Sequence, residues 1–241
     1  MTEQVDRERL WALYRRLWVA FGPQGWWPAE SPFEVAVGAI LTQAVSWRNV
    51  SAALDRIKAA GALSVEALLA APPGRLEEWL RPTLYFRAKA AKLRTFLEAV
   101  RAAGGLEALW AGPPAEARAR LLAIPGIGPE TADDMMLYGA GQPVLVVDAY
   151  THRILVRAGV VPAGRFRYEP LRRGLEAAFA PPDVPRFKEF HALVVRLGKD
   201  YCRPQPRCGP CPARAVCATG RAQPGEEEQG ALGDVEPGRL P

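Results

Sequence analysis

Lysine is scarce in this chain: of 241 residues five are lysine, against 26 arginines. Chemistry that needs a free amine has few places to reside, namely Lys58, Lys89, Lys92, Lys188 and Lys199. Long apolar runs are missing too, and nothing approaches the stretch of about twenty residues that crosses a bilayer. The opening residues, MTEQVDRERLWALYRRL, lack the basic-then-apolar layout of an export signal. A cytoplasmic location with no membrane partner is therefore expected. Strand-like alternation of apolar and polar residues is almost wanting. The one exception, Pro143-Val144-Leu145-Val146-Val147, reads either as a strand or as a buried connector.

What is present is helical periodicity. Leu10, Leu17 and Trp18 lie near one face of a first helix, and Phe33, Val37, Ile40 and Leu41 repeat at helical spacing in a second. Segments rich in Ala, Leu, Arg and Glu follow at 51–60, 64–71, 74–80, 87–103 and 115–123, punctuated by Pro and Gly. The fold class is all-α. From Ala218 to Pro241 the chain is Gly/Pro/Glu-rich, has little to bury and is expected to be disordered. Net charge is +5, but this acidic tail carries −3, so the body is more basic than the total. A basic body fits a polyanionic partner; a bias toward arginine codons would produce the same excess.

Three local patterns can carry chemistry. In Leu122-Ala123-Ile124-Pro125-Gly126-Ile127-Gly128-Pro129-Glu130-Thr131-Ala132, Gly126 and Gly128 permit a tight turn and close backbone approach to a ligand. The helix behind them would point free N–H groups at a phosphate. An ordinary helix–helix turn would look similar. In Val147-Asp148-Ala149-Tyr150-Thr151-His152-Arg153, Asp148 ends an apolar run and opens a helix. It is either a helix cap or a carboxylate that stabilises positive charge and orients water. The third pattern is Cys202-x5-Cys208-x2-Cys211-x5-Cys217, all four cysteines within sixteen residues. Disulfides are improbable in a cytosolic chain, and four thiolates suit zinc or a [4Fe–4S] cluster. Arg203, Arg207 and Arg214 surround them and can meet phosphates.

In this order and spacing the three patterns resemble the endonuclease III family of helix–hairpin–helix DNA glycosylases, over roughly residues 7–217. The resemblance implies two helical domains flanking a DNA-binding cleft. One is a six-helix barrel at 30–143 ending in the hairpin; the other, 1–29 with 144–217, holds a [4Fe–4S] cluster. Residues 218–241 form the tail. Ala39-Ile40-Leu41-Thr42-Gln43 resembles the helix whose glutamine fills the gap left by a flipped base. Leu84-Tyr85-Phe86-Arg87-Ala88-Lys89-Ala90 resembles the G-L-Y-x-x-K-A segment, with Leu84 as wedge. Asp148 falls on the catalytic aspartate and the cysteines on the cluster ligands, with a first gap of five residues where six is usual.

Glu130 departs from the pattern, since bifunctional members carry there the lysine that forms a Schiff base. The resemblance therefore implies hydrolysis by water and little abasic-site lyase activity. Gly25-Trp26-Trp27-Pro28, Gln43 with Trp47, Arg81-Pro82 and Pro129-Glu130-Thr131-Ala132-Asp133 look closest to the 3-methyladenine glycosylase branch. There a Trp-Pro pair and an aromatic at position 47 sandwich the base, although plain core packing would also account for these tryptophans. The expected partner is double-stranded DNA with a damaged base, bound by a monomer. The expected reaction is excision of an alkylated purine such as 3-methyladenine. Removal of oxidised pyrimidines or mismatched bases, and non-catalytic lesion binding, are the alternatives.

Overall fold

The computed structural model describes residues 2–223, and these contain helices and connectors but no strand. The chain divides into two compact units: Trp27–Gln142, and the N-terminal segment through Trp26 together with the chain from Pro143 onward.

The Trp27–Gln142 unit contains α2 (Pro32–Leu41), α3 (Trp47–Ala59), α4 (Val65–Ala70), α5 (Arg75–Leu80), α6 (Phe86–Ala103), α7 (Leu106–Trp110), α8 (Pro114–Leu122) and α9 (Pro129–Asp134). A π-helical turn, Met135–Gly139, continues α9 without a break. The other unit contains α1 (Arg7–Phe21), α10 (Ala149–Ala158), α11 (Tyr168–Ala178), α12 (Val184–Asp200) and α13 (Ala218–Ala222).

Capping chemistry explains most of the starts. Asp6, Ser31, Ser64, Asp148 and Asp183 each accept a backbone N–H from the first turn of their helix, a bond typically contributing about 1 kcal/mol. Pro32, Pro114, Pro129 and Pro185 occupy first-turn positions, where a missing N–H costs nothing. In the first unit α6 packs against α2, α4, α5 and α7 and buries Leu93, Phe96, Leu97 and Val100; Ile40 and Leu41 of α2 and Ile57 of α3 are buried too. The other unit closes on an aromatic cluster in which Phe179 meets Trp11, Tyr14 and Phe190 at 4.9–5.9 Å between ring centres. Tyr14, Phe179 and Phe190 are fully buried, and each such ring contributes about 1.5–3 kcal/mol.

Two expectations are corrected. Pro143–Val147 is not a strand: it is an irregular connector with Val144, Leu145, Val146 and Val147 buried, and Leu145 N–H donates to Glu176 rather than to a neighbouring strand. The tail does not begin at Ala218. Residues 218–222 form α13, and Gly220 is buried so closely on Arg214 that an added Cβ would stand 3.1 Å from its backbone. Short as it is, this segment finds a packing surface in the cysteine loop. The expectation of disorder for 224–241 lies outside the described residues.

Candidate functional site

The hairpin between α8 and α9 is built from both sides. Arg118 of α8 reaches Asp133 of α9 with two parallel bonds, Nε–Oδ1 2.5 Å and Nη2–Oδ2 3.1 Å, and the carboxylate is fully buried. Breaking such a pair leaves a buried charge and costs about 3–5 kcal/mol. In the turn, Gly126 sits at φ +92°, and an added Cβ would stand 2.7 Å from Lys92 Cγ. The fold itself therefore requires Gly126. Gly128 differs: its φ is −93°, and an added Cβ would meet nothing within 4 Å. Nothing inside the unit demands glycine at 128, so the space in front of it is free for a ligand approaching the backbone.

Gln43 is part of the same assembly. Its Nε2 donates to the Gly126 carbonyl at 3.3 Å and to Thr131 Oγ1 at 3.0 Å, while its Oε1 accepts from Lys92 Nζ at 2.6 Å. Lys92 and Thr131, which the sequence did not single out, thus tie the glutamine to the turn. Leu84 and Tyr85, just before α6, are the exposed large hydrophobic residues, at 58% and 76% exposure. Tyr85 also holds the left-handed conformation (φ +56°), which costs a non-glycine residue about 1–3 kcal/mol. Glu130 is exposed in the first turn of α9.

Trp27 and Trp47 touch edge to face, 5.1 Å between centres at 87°, and Trp27 lies 5.4 Å from Tyr138. As they stand the two indoles leave no flat slot between them. Trp27 also packs over Gly38, where an added Cβ would be 3.3 Å from its ring. Pro28 is exposed. Trp26 belongs to the other unit, where Lys199 Nζ stands 5.9 Å from its ring centre.

Asp148 is both a cap and a candidate catalyst. Its Oδ1 accepts from Thr151 N and Thr151 Oγ1, each at 2.7 Å, and its own N–H donates to Thr151 Oγ1 at 3.3 Å. That capping box consumes one oxygen and locks the side chain. Oδ2 faces His191 Nε2 at 4.0 Å, too far for a hydrogen bond. His191 is buried, and burial holds it below the usual histidine range, with Lys199 adding to the depression and Asp148 opposing it. A neutral imidazole therefore stands beside the Asp148 carboxylate. Asp148 as a helix start was read from the sequence; its pairing with Thr151 and its nearness to His191 were not.

All four cysteines line one pocket, walled by Leu13, Ile154 and Leu197. Arg157 of α10 organises the loop: Nη1 donates to Cys202 Sγ at 3.4 Å, and Nη2 to the Pro204 carbonyl at 2.7 Å. Cys217 Sγ lies 3.3 Å from the Arg157 carbonyl and 3.4 Å from Gly220 N–H. Burial pushes the Cys211 thiol up to about 11 and raises Cys208, so thiolates here call for a cationic partner. The donor set, the shared pocket and the N–H···S contacts fit a metal–sulfur group. Among the described residues, no three His, Cys, Asp or Glu side chains converge to hold a single ion. Arg203 and Arg207 are exposed on the loop, with Arg203 Nε held by the Lys199 carbonyl at 2.8 Å.

The chain belongs to the HhH-GPD superfamily of base excision DNA repair proteins, whose model matches residues 37–179. Within that class it is 36% identical over 213 residues to a Methanocaldococcus jannaschii protein inferred to be a DNA repair glycosylase, covering 87% of this chain and 96% of the relative. In fold it is similar to endonuclease III in a non-covalent DNA complex, with TM-score 0.72 and 19% identity, covering 90% of this chain and 98% of that one. It is likewise similar to H. pylori 3-methyladenine DNA glycosylase bound to 1,N6-ethenoadenine, with TM-score 0.66 and 24% identity, covering 80% and 96%. The all-α fold read from the sequence is that of these neighbours.

Proposed function

We propose that the protein removes an alkylated purine from duplex DNA by hydrolysis, with Asp148 as the catalytic group. The observation that carries this reading is the division of labour in that carboxylate: Oδ1 is spent on the capping box and Oδ2 is left open. An oriented carboxylate stabilises the positive charge that develops on the sugar. The bond from C1′ to the base breaks with its electrons leaving on the base, which neutralises an alkylated cation. Water then adds to C1′ and gives up a proton. Little acid catalysis is needed for so good a leaving group.

Glu130 supports hydrolysis over lyase chemistry, because a carboxylate cannot form a Schiff base. The Trp27–Trp47–Tyr138 cluster supports a cationic base, since indole is the strongest aromatic partner for a cation. The base would stack on this cluster rather than slide between parallel rings. Gly128, the α9 amides, Arg203 and Arg207 would grip phosphates, with Leu84 entering the stack. The cysteine pocket favours a [4Fe–4S] cluster over one zinc ion. Cys202, Cys208, Cys211 and Cys217 would hold it, each supplying one thiolate. When bound, that cluster supplies the bonds that close the loop.

The reading is tested on duplexes carrying 3-methyladenine-like or thymine-glycol lesions, each followed by alkali to reveal abasic sites. Faster release of the alkylated base, with little borohydride-trapped adduct, is expected. Preference for the oxidised pyrimidine would transfer the activity to the endonuclease III type. Binding of lesions without release of any base would leave only a lesion-binding protein.

A further inference from the structure

Lys89 is the most anomalous charged residue in the hairpin unit. It is 3% exposed, and its Nζ is buried without a hydrogen-bond partner. Burial, aided by the nearby Lys92 ammonium, holds it down to about 8. Fold stability alone gives no reason to keep it, because an uncompensated buried ammonium destabilises the free protein.

Its surroundings are unfavourable to a cation in every respect. Lys89 lies in the first turns of α6, an eighteen-residue helix whose start has no side-chain cap. The first helical bond there is Lys89 N–H to the Tyr85 carbonyl at 3.0 Å, so the amides of Phe86, Arg87 and Ala88 precede the hydrogen-bonded ladder. Side chains on a helix lean toward its N-terminus, which directs the Lys89 stem back over this same turn. The positive end of the helix dipole, a desolvated ammonium and Lys92 thus share one small region. Alongside stand Leu84 and Tyr85, exposed, with Tyr85 in a strained backbone conformation.

We propose that the start of α6 is a second phosphate seat, in which the Lys89 ammonium and the free first-turn amides receive a DNA backbone phosphate beside the Leu84–Tyr85 wedge. The proposal rests on duplex DNA being the substrate. The hairpin seat at Gly128 grips the strand through backbone amides, whereas this one adds a charge kept out of water until DNA arrives. The four-carbon stem lets the ammonium swing to a phosphate oxygen at the N-terminal turn.

The test uses the full-length protein, Lys89→Met and Lys89→Arg, with a labelled duplex containing a tetrahydrofuran abasic analogue. Thermal melting of each free protein is measured alongside binding from about 50 to 200 mM salt. Lys89→Met is expected to melt higher than the wild type yet bind about tenfold more weakly. Its log–log salt slope should be shallower by about 0.9, the value for one phosphate contact. Lys89→Arg should keep the wild-type slope. If Lys89→Met does not accumulate, Lys89→Gln carries the same comparison. An unchanged slope and affinity in the neutral variant, or a lower melting temperature with no change in slope, overturns the phosphate seat. A wild-type protein that binds no duplex at all overturns the substrate reading instead.

Discussion

Two helix starts in this protein have been treated in opposite ways. At α10 every local demand is met: Asp148 and Thr151 exchange three hydrogen bonds, and the side chain is locked. At α6 the cap is a strained tyrosine, no side chain serves the first amides, and a buried ammonium waits unpaired. The first arrangement fixes an atom in space, which is what transition-state stabilisation requires. The second leaves bonding capacity unspent, which suits contact with a partner. On the proposed reading, the satisfied start serves the chemistry and the unsatisfied one serves binding.

Asp148→Asn probes the contrast most strongly. Asparagine caps a helix as well as aspartate does, so the unfolding midpoint should hardly move. Base excision should fall by at least ~10²-fold, comparable to losing one strong electrostatic contact in the transition state. A large loss of stability with excision preserved would make Asp148 a cap and nothing more.

The next effect is in pH. Lys89 is held down to about 8 in the folded protein, against an ordinary value near 10.4 when unfolded. Between those values the unfolded chain binds more protons, so stability rises with pH through this group. The penalty is complete below pH 8 and is relieved as pH approaches about 10.4. The melting advantage of Lys89→Met over the wild type should therefore shrink across that window. An advantage that stays constant would mean that charge is not its source.

The smallest effect is expected at Tyr85. Asparagine accepts the left-handed conformation more readily, so Tyr85→Asn should stabilise the free protein by up to about 1 kcal/mol, measured by denaturant unfolding. DNA binding should weaken at the same time. Loss of stability would show that the tyrosine ring contributes packing that outweighs its backbone strain.

Much of this was legible in the chain because it is local. Helix periodicity, the prolines and glycines between helices, the G-x-G turn, the helix start at Asp148 and the four cysteines are all patterns a few residues long. What was not legible depends on distances that only folding sets. Gln43 meets Lys92, Gly126 and Thr131 from 49, 83 and 88 residues away. Nothing in the motif containing Lys89 distinguishes an exposed lysine from one sealed inside the unit. The tryptophans show the same limit: their presence was plain, but the edge-to-face packing of Trp27 on Trp47, and of Trp27 over Gly38, was not.

Arg157 carries one more implication. It stands in the last turn of α10, nine residues after the carboxylate at the start of that helix, and it holds Cys202, Pro204 and the Cys217 thiol. A helix of ten residues is a rod about 15 Å long. One end of the rod carries the Asp148 carboxylate, and the other is bonded to the cysteine loop through Arg157. On the proposed reading, in which Asp148 is the catalytic group, the same short helix that carries it also carries the arginine that braces the cysteine loop, so disordering the loop is expected to loosen α10 from its C-terminal end.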